Sequence, residues 1–109
     1  MTLQEREARA CAIIDSMTEE LRDISLYLHD NPELGLNEHK AVKVINQFLE
    51  NHNFTSQVGL TDLPELQTAL RGDYNGTAQH KIAFLGEYDA LPELGHGCGH
   101  NLIAMMSLG

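Results

Sequence analysis

The 109-residue sequence predicts an α/β fold in which two N-terminal helices and a β-hairpin precede a buried strand and a glycine-rich loop. Three observations predict it. Apolar residues recur at helical spacing in the first half of the chain. Apolar and polar residues alternate from Phe54 to Val58, as in a half-buried strand. A short apolar run, Ile82 to Leu85, then leads into a loop paced by glycines, as a buried strand of an α/β sheet does.

The first helix is predicted from residue 2 to residue 31, a stretch without proline or glycine. Thr2 and Glu5 have the spacing of a capping box, and Pro32 enforces the end. A second possible helix start leaves a break near residue 17 open. The apolar stripe is too short, and too poor in flanking charge pairs, to favour a coiled coil, so we expect it to pack on the core. Its members are Ala10, Ile14, Met17, Leu21, Ile24 and Leu28.

The second helix is predicted to begin after a cap at Asn37 and to run to about His52. Its inner face should carry Ala41, Ile45 and Phe48. His39 and Lys40 in its first turn oppose the helix dipole, so we expect them to be solvated. His29, near the end of the first helix, is interpreted as a C-terminal capping residue.

A second strand is predicted from Leu66 to Leu70, after a break at residues 61–64. Residues 73–76 supply turn chemistry before Lys81. We expect an antiparallel hairpin whose second arm is the buried strand, Ile82 to Leu85. Open α/β sheets place their sites at the ends of such strands, so the chain is predicted to deliver the following loop to that position.

This loop contains every class of strong protein metal ligand. In an extended segment its last three candidates project to one side, and the intervening glycines let the backbone bend. A thiolate and an imidazole so placed suit zinc or a similar metal. Cys98 and His100 make only two ligands, whereas a hydrolytic zinc site uses three and a water. The candidates are Glu87, Asp89, His96, Cys98 and His100.

The same residues can also be interpreted without a metal, as ordinary packing and loop residues. A cysteine often behaves as a small apolar residue, and a loop histidine needs no metal. His96 taken singly is interpreted as such a loop histidine, and Cys11 as a packing residue beside the first helix's stripe. The residues alone leave metal binding and plain loop packing both open.

The charge composition argues against nucleic acid and membrane partners. The chain carries 7 basic and 16 acidic side chains, a net charge of −9. This disfavours nucleic acid and anionic membranes, both of which require basic patches. The sequence has no apolar run of spanning length and no export-signal pattern, so we expect a cytoplasmic protein in which Cys11 and Cys98 are free thiols.

Three motifs in order resemble one family. Gly86 to Pro92 followed by Gly95 to Asn101, Gly-Glu-Tyr-Asp-Ala-Leu-Pro and Gly-His-Gly-Cys-Gly-His-Asn, resembles the zinc aminoacylase and carboxypeptidase-type metallopeptidases, specifically their amidohydrolase branch. Upstream, Leu28 to Gly35 and Glu38 to Ala41 resemble that branch's N-terminal signature. The resemblance covers essentially residues 18 to 109.

The resemblance implies roles for particular residues. Cys98 and His100 fall on the branch's two N-terminal metal ligands. Asp89 falls on a catalytic aspartate that stands beside the metals in related enzymes. Glu87 occupies a place where other branches carry a metal-binding histidine, and no ligand role is transferred to it. Asn101 replaces a common aspartate, as in members similar to aminobenzoyl-glutamate hydrolases and dipeptidases.

The resemblance further implies two metal ions, zinc or else manganese or cobalt, in the intact enzyme. They would activate a water against the amide of an N-acyl amino acid, aminobenzoyl-glutamate or a dipeptide, and a downstream glutamate would be the general base. We also expect a homo-oligomer.

The last residues, Leu102 to Leu108, predict the start of a helix that is apolar on nearly all sides. We therefore expect residues 1–109 to be the N-terminal portion of a larger three-layer α/β catalytic domain, inactive alone because the general base and further ligands have no counterpart. The alternative is a non-catalytic metal- or partner-binding module that retains a vestigial site.

Overall fold

A computed structural model of the chain describes residues 1–60 and 62–109. These residues form four α helices and a small antiparallel sheet, so the mixed α/β character predicted from the sequence is confirmed. The three-layer parent domain stays a prediction. The elements are α1 Leu3–Ser16, α2 Thr18–Asp30, α3 His39–Asn51, β1 Thr55–Val58, β2 Leu70–Asp73 and α4 His100–Leu108.

The predicted first helix is divided in two at Met17, where the sequence left a break open. The capping box at its start is confirmed, since Thr2 Oγ1 accepts from the Glu5 amide at 3.1 Å and Glu5 Oε2 accepts from the Thr2 amide at 2.7 Å. At the break, the Thr18 hydroxyl donates to the Asp15 carbonyl at 2.8 Å and ties the two helices together.

The core lies between α2, α3 and α4. It contains the second half of the predicted stripe and the predicted inner face of α3, which are both confirmed. Met17 and Leu21 pack against this core, but the part of the stripe in α1 does not join it, because α1 has no buried residue and Ile14 is 43% exposed. The buried core residues are Ile24, Leu28, Ala41, Ile45, Phe48, Ala104 and Met105.

Helix α3 is capped by a residue that the sequence prediction missed. Asn37 was expected to cap it, but Glu38 holds the N-cap position without a side-chain hydrogen bond. The Glu33 carboxylate instead accepts from the Lys40 amide at 3.0 Å and the Ala41 amide at 2.8 Å. The bend before the helix, with Leu36 at a φ of 72°, brings Glu33 back over the helix start.

The strand predicted from Phe54 to Val58 is confirmed as β1, but the rest of the predicted hairpin differs. Strand β1 pairs with β2, with Thr55 opposite Asp73 and Val58 opposite Leu70. The predicted strand from Leu66 to Leu70 is wrong, because Leu66 lies in a turn whose backbone bonds to Leu60 and Leu63. Of the predicted break at 61–64, Thr61 lies outside the described residues.

The predicted buried strand Ile82 to Leu85 is likewise wrong for this chain. The segment is not a strand, and Ile82, Phe84 and Leu85 are 83%, 81% and 90% exposed. A strand requires a hydrogen-bonding neighbour, and β2 is paired with β1 instead. The segment is tied to α4 where the Ser107 hydroxyl donates to the Leu85 carbonyl at 2.7 Å.

Within residues 1–60 and 62–109, no helix combines the length and the apolar character required to cross a membrane.

Candidate functional site

The loop that carries the candidate ligands is anchored to the region between α2 and α3. The Ala90 amide donates to the Glu33 carbonyl at 2.7 Å, and Ala90 is buried. Leu91 and Gly95 then exchange two backbone hydrogen bonds, at 2.8 and 3.1 Å, which close a tight turn. Gly95 has a φ of 58°, a value that glycine adopts without strain. The loop is therefore fixed at its start and folded on itself before the last candidate ligands.

Tyr88 provides a second anchor. Its hydroxyl donates to the carbonyl of Thr68, just before β2, and the Thr68 hydroxyl donates to Glu38 Oε1 at 3.1 Å. Burial, assisted by the charge of Glu38, raises the pKa of Tyr88 to about 12. The phenol is therefore a neutral hydrogen-bond donor at physiological pH, and it holds the backbone between Glu87 and Asp89.

His100 lies at the centre of the candidate site. It is the first residue of α4, and its side chain is only 18% exposed. Its Nδ1 atom lies 2.8 Å from Asp89 Oδ1 and 3.0 Å from the Asp89 carbonyl oxygen. Both partners are acceptors, so the Nδ1 proton donates to Asp89 and the tautomer of the neutral ring is set. On the other side of the ring, Nε2 lies 3.3 Å from Glu87 Oε2.

The electrostatics of His100 follow from these contacts. Desolvation acts to lower its pKa, but the hydrogen bonds to Asp89 and the charges of Asp89 and Glu87 outweigh it, so the pKa is raised. The imidazole is thus held between two carboxylates, with one at each ring nitrogen. The Asp89 carboxylate that binds Nδ1 is the arrangement found behind metal-binding histidines in proteins, where it orients the ring and increases its basicity.

Cys98 and His96 stand in different environments. Cys98 is an exposed free thiol, accessible to a ligand from solvent. His96 is half-buried, and its Nδ1 atom is buried without a hydrogen-bond partner among the described residues. Burial lowers the pKa of His96, and the interaction of its ring with the Leu28 backbone only partly opposes that effect. The sequence analysis left His96 open between a candidate ligand and a loop histidine, and this geometry does not decide between the two.

The structure brings His100, Asp89 and Glu87 together. Across the described parts of the chain, however, no group of three or more His, Cys, Asp or Glu side chains is arranged to hold one ion. The geometry explains why His100 and the two carboxylates do not form such a group. Asp89 and Glu87 approach opposite nitrogens of the imidazole and cannot both reach an ion on one side of it.

Asn101 has a structural task that the sequence prediction did not identify. Its Nδ2 atom donates to the Ser25 hydroxyl at 3.2 Å and to the Ser25 carbonyl at 3.4 Å. An aspartate at this position has no proton to donate to that carbonyl at neutral pH. The amide therefore fastens the start of α4, and with it His100, to helix α2.

Comparison with known proteins finds relatives over most of the chain. No family model matches it. The chain is 38% identical to the Xaa-Arg dipeptidase of Mus musculus over 102 residues and 34% identical to the Xaa-Arg dipeptidase of Homo sapiens over 105 residues, in each case over 88% of the chain and 24% of the relative. It is 30% identical to one of the subunits of the p-aminobenzoyl-glutamate hydrolase of Escherichia coli over 107 residues, 83% of the chain and 21% of that protein.

The matched part of the chain belongs to an amidohydrolase- and dipeptidase-like family. This confirms the family recognised from the motifs around Asp89 and His100. The chain spans about a quarter of the length of the curated relatives that it matches. Within this segment, the Asp89 carboxylate fixes the orientation of the His100 ring.

Two residues that support the site in this family member were missed from the sequence. Glu33 caps α3 and, through its carbonyl, receives the Ala90 amide. Tyr88 pins the loop to Thr68. Tyr88 lies between two candidate site residues, and an amphipathic side chain there was an available signal. Glu33 gave no local signal, because its partners are seven and eight positions away.

Proposed function

We propose that this chain supplies the N-terminal portion of the catalytic domain of a metal-dependent hydrolase that cleaves amide bonds in small substrates. One observation carries the proposal: the His100 imidazole has its Nδ1 bound by Asp89, so that Nε2, which lies 3.3 Å from Glu87 Oε2, is the nitrogen left for a metal. A histidine oriented in this way by a carboxylate is typical of metal-binding centres. The family supports a hydrolytic use of that geometry.

The donor chemistry fits zinc, or else manganese or cobalt. The His100 imidazole nitrogen suits all three metals, and the exposed Cys98 thiol favours zinc among them. These two residues would hold the first part of a site for two ions. When bound, the ions supply an activated water and polarise the amide carbonyl of the substrate.

Asp89 acts through His100 in this proposal. Its carboxylate keeps the Nδ1 proton in place, fixes the ring orientation and makes Nε2 more basic. Tyr88, anchored on Thr68, keeps the Asp89 backbone at the distance that this hydrogen bond requires. Asn101 does the same for His100 by fastening α4 to Ser25. The chain's own residues thus prepare a ligand rather than perform a proton transfer.

The proposed substrate class rests on the names of the relatives and on the net charge of the chain. The printed names of the relatives point to Xaa-Arg dipeptides and to p-aminobenzoyl-glutamate. The net charge of −9 on these 109 residues favours approach of a cationic arginine substrate over an anionic glutamate one. We therefore propose Xaa-Arg dipeptides as the first class to assay. A homo-oligomer in the cytoplasm remains part of the proposal.

The test uses the natural protein that contains these residues. We expect hydrolysis of Xaa-Arg dipeptides, loss of that activity after chelation, and recovery on addition of Zn²⁺, Mn²⁺ or Co²⁺. Cys98→Ala should remove most of the activity, and Cys11→Ala on the exposed helix α1 is the matched control. Full activity in the chelated protein or in Cys98→Ala would contradict the proposal and favour a non-catalytic binding module.

A further inference from the structure

We propose that a groove between helices α2 and α3 binds residues 81–85 of a second copy of this chain. The floor of this α2–α3 groove is formed by Ile24, Val44 and Phe48, and its volume is about 490 Å³. That volume lies within the range of about 300–1,000 Å³ that is typical of protein binding pockets. The inference goes beyond the proposed amide hydrolysis, because it gives the homo-oligomer an interface and uses no residue of the candidate metal site.

The floor of the α2–α3 groove is apolar. Ile24 and Phe48 belong to the buried core, and Val44 packs against that core beside them. Tyr27 lines the groove as well and is 38% exposed. Apolar side chains of a partner that cover this floor are removed from water, which is the main favourable contribution to most protein association.

The two ends of the α2–α3 groove differ in charge. His52 Nε2 lies 3.1 Å from Glu20 Oε2, so the end of α3 lies beside the start of α2. Glu20 and Asp23 therefore line one end of the groove. Lys43, in the second turn of α3, lines the other end. A partner segment that carries a positive charge at one end is thus favoured in one direction only.

Residues 81–85 have the complementary character. Ile82, Phe84 and Leu85 are 83%, 81% and 90% exposed, and the exposed Lys81 precedes them. No helix or turn interrupts the segment. When it is extended, Ile82 and Phe84 project to the same side, so both side chains enter the groove together. Alternate side chains of an extended segment are the usual means by which such segments are recognised.

Length and charge fix the direction of the bound segment. An extended chain rises about 13 Å from Lys81 to Leu85. Helix α3 rises about 12 Å from Lys43 to Asn51, the first and last of its residues that line the groove. With Lys81 beside Asp23, Leu85 lies at the end that Lys43 lines. The opposite direction would place two lysines together, which like charges disfavour.

The segment cannot fill the groove of its own chain. The Ser107 hydroxyl donates to the Leu85 carbonyl at 2.7 Å and ties the segment to α4. Helix α4 in turn contacts α2 where the Asn101 amide donates to the Ser25 hydroxyl at 3.2 Å. Ser25 is two positions from Asp23, and residues two apart do not share a face of a helix. Helix α4 and the groove therefore lie on different sides of α2, and a second copy must supply the segment.

The experiment measures the self-association of the purified chain by sedimentation velocity over a series of concentrations. Asp23→Lys reverses a charge of the groove, and Asp30→Lys is the matched control, an exposed aspartate of the same helix outside the groove. Each replaces a negative charge by a positive one and changes the net charge from −9 to −7, which by itself favours association. We nevertheless expect Asp23→Lys to raise the dissociation constant several-fold, whereas Asp30→Lys should not raise it.

A mixture of two variants identifies the contact. Lys81→Glu should also weaken association, because it sets a negative charge against Asp23 of the second copy. In an equimolar mixture, the Asp23→Lys chain supplies an intact segment and the Lys81→Glu chain supplies an intact groove. We expect the mixture to associate more tightly than either variant alone. Circular dichroism verifies the fold of each variant.

The other outcomes would overturn the inference. Weakening by Lys81→Glu without any effect of Asp23→Lys would show that two copies of the segment pair with each other and leave the groove empty. Equal weakening by Asp23→Lys and Asp30→Lys, a mixture no tighter than its components, or a wild type that is monomeric at every concentration would each reject the groove as the interface. Since the measurement involves neither metal nor turnover, such a failure leaves the proposed amide hydrolysis in place.

Discussion

At the scale of single residues, the chemistry of this chain is concentrated in the pair His100 and Asp89. The aspartate accepts from Nδ1 with a side-chain oxygen and a backbone oxygen, so it controls the position of the proton as well as the orientation of the ring. The two residues are eleven positions apart, and the closed turn between Leu91 and Gly95 brings them together. The orientation of the His100 ring therefore depends on the loop as a whole.

Asp89→Asn tests this pair. Because the Asp89 hydrogen bonds and charge raise the pKa of His100, removal of the charge should lower that pKa toward or below 6.5. The folded-state pKa is the higher one, so the stabilisation is fully present below pH 6.5 and is lost as the pH rises through the raised value. NMR titration of the histidine ring protons measures the pKa in the metal-free protein, and urea denaturation at several pH values measures the stability.

The control for this prediction is Asp30→Asn. Asp30 also contacts a histidine, His29, at 3.1 Å, but both side chains are about two-thirds exposed or more. Exposed pairs of this kind contribute little to stability. We expect Asp30→Asn to leave both the titration of His100 and the pH profile of stability unchanged. An unchanged pKa of His100 in Asp89→Asn would show that the pair does not control the ring.

The candidate residues could be predicted from the sequence, whereas their arrangement could not. Residue type and glycine spacing marked the loop as a candidate site, and the family resemblance then singled out Asp89, Cys98 and His100 within it. The sequence did not indicate which carboxylate faces which nitrogen of His100, because that depends on the anchor of Tyr88 to Thr68 and on the turn before α4. The assignment of Cys98 and His100 as metal ligands stays a prediction.

At the scale of elements, the helices were more predictable than the strands. Helix α3 places Ala41, Ile45 and Phe48 in the core as its periodicity predicts, because helical hydrogen bonds are local. A strand depends on a neighbour. Residues 82–85 have the composition of a buried strand, but β1 and β2 pair with each other and leave that segment exposed. Composition therefore did not determine whether this segment forms a strand.

Glu33→Ala is the prediction for an element. The Glu33 carboxylate satisfies two amides in the first turn of α3, which would otherwise lack acceptors, and its negative charge favours the helix N-terminus. We expect the free energy of unfolding to fall by about 1 kcal/mol, the typical cost of a lost helix cap. Chemical denaturation followed by circular dichroism measures the change.

Glu65→Ala is the matched control, because Glu65 is an exposed loop glutamate remote from the start of any helix. It should unfold as wild type does. A cap effect would be contradicted by equal stabilities of Glu33→Ala and wild type. A larger loss, of several kcal/mol, would instead point to disruption of the Ala90 contact with the Glu33 backbone.

At the scale of the whole molecule, the chain is less compact than its length permits. Its radius of gyration is 15.1 Å, whereas a globular domain of this length has about 13 Å. Helix α1 contributes no buried residue, and the segment of residues 82–85 lies on the surface. The apolar side chains that the sequence predicted to be buried in these two places are therefore available to other protein surfaces.

The prediction for the whole molecule is self-association through residues 82–85. Ile82, Phe84 and Leu85 are each more than 80% exposed, and a contiguous apolar segment of this kind marks an association surface. The backbone of an extended segment outside the sheet can also pair with its copy. We expect static light scattering at micromolar concentration to give a mass above that of the 12.1 kDa monomer.

Two variants decide whether that surface is responsible. Phe84→Glu should shift the protein toward the monomer, because it places a charge in the apolar segment of an already acidic chain. Leu3→Glu replaces a residue of similar exposure, 73%, at the start of α1 and should leave the mass unchanged. A monodisperse monomer in the wild type would contradict the prediction. If only Leu3→Glu gave a monomer, the association surface would lie on helix α1 and not at residues 82–85.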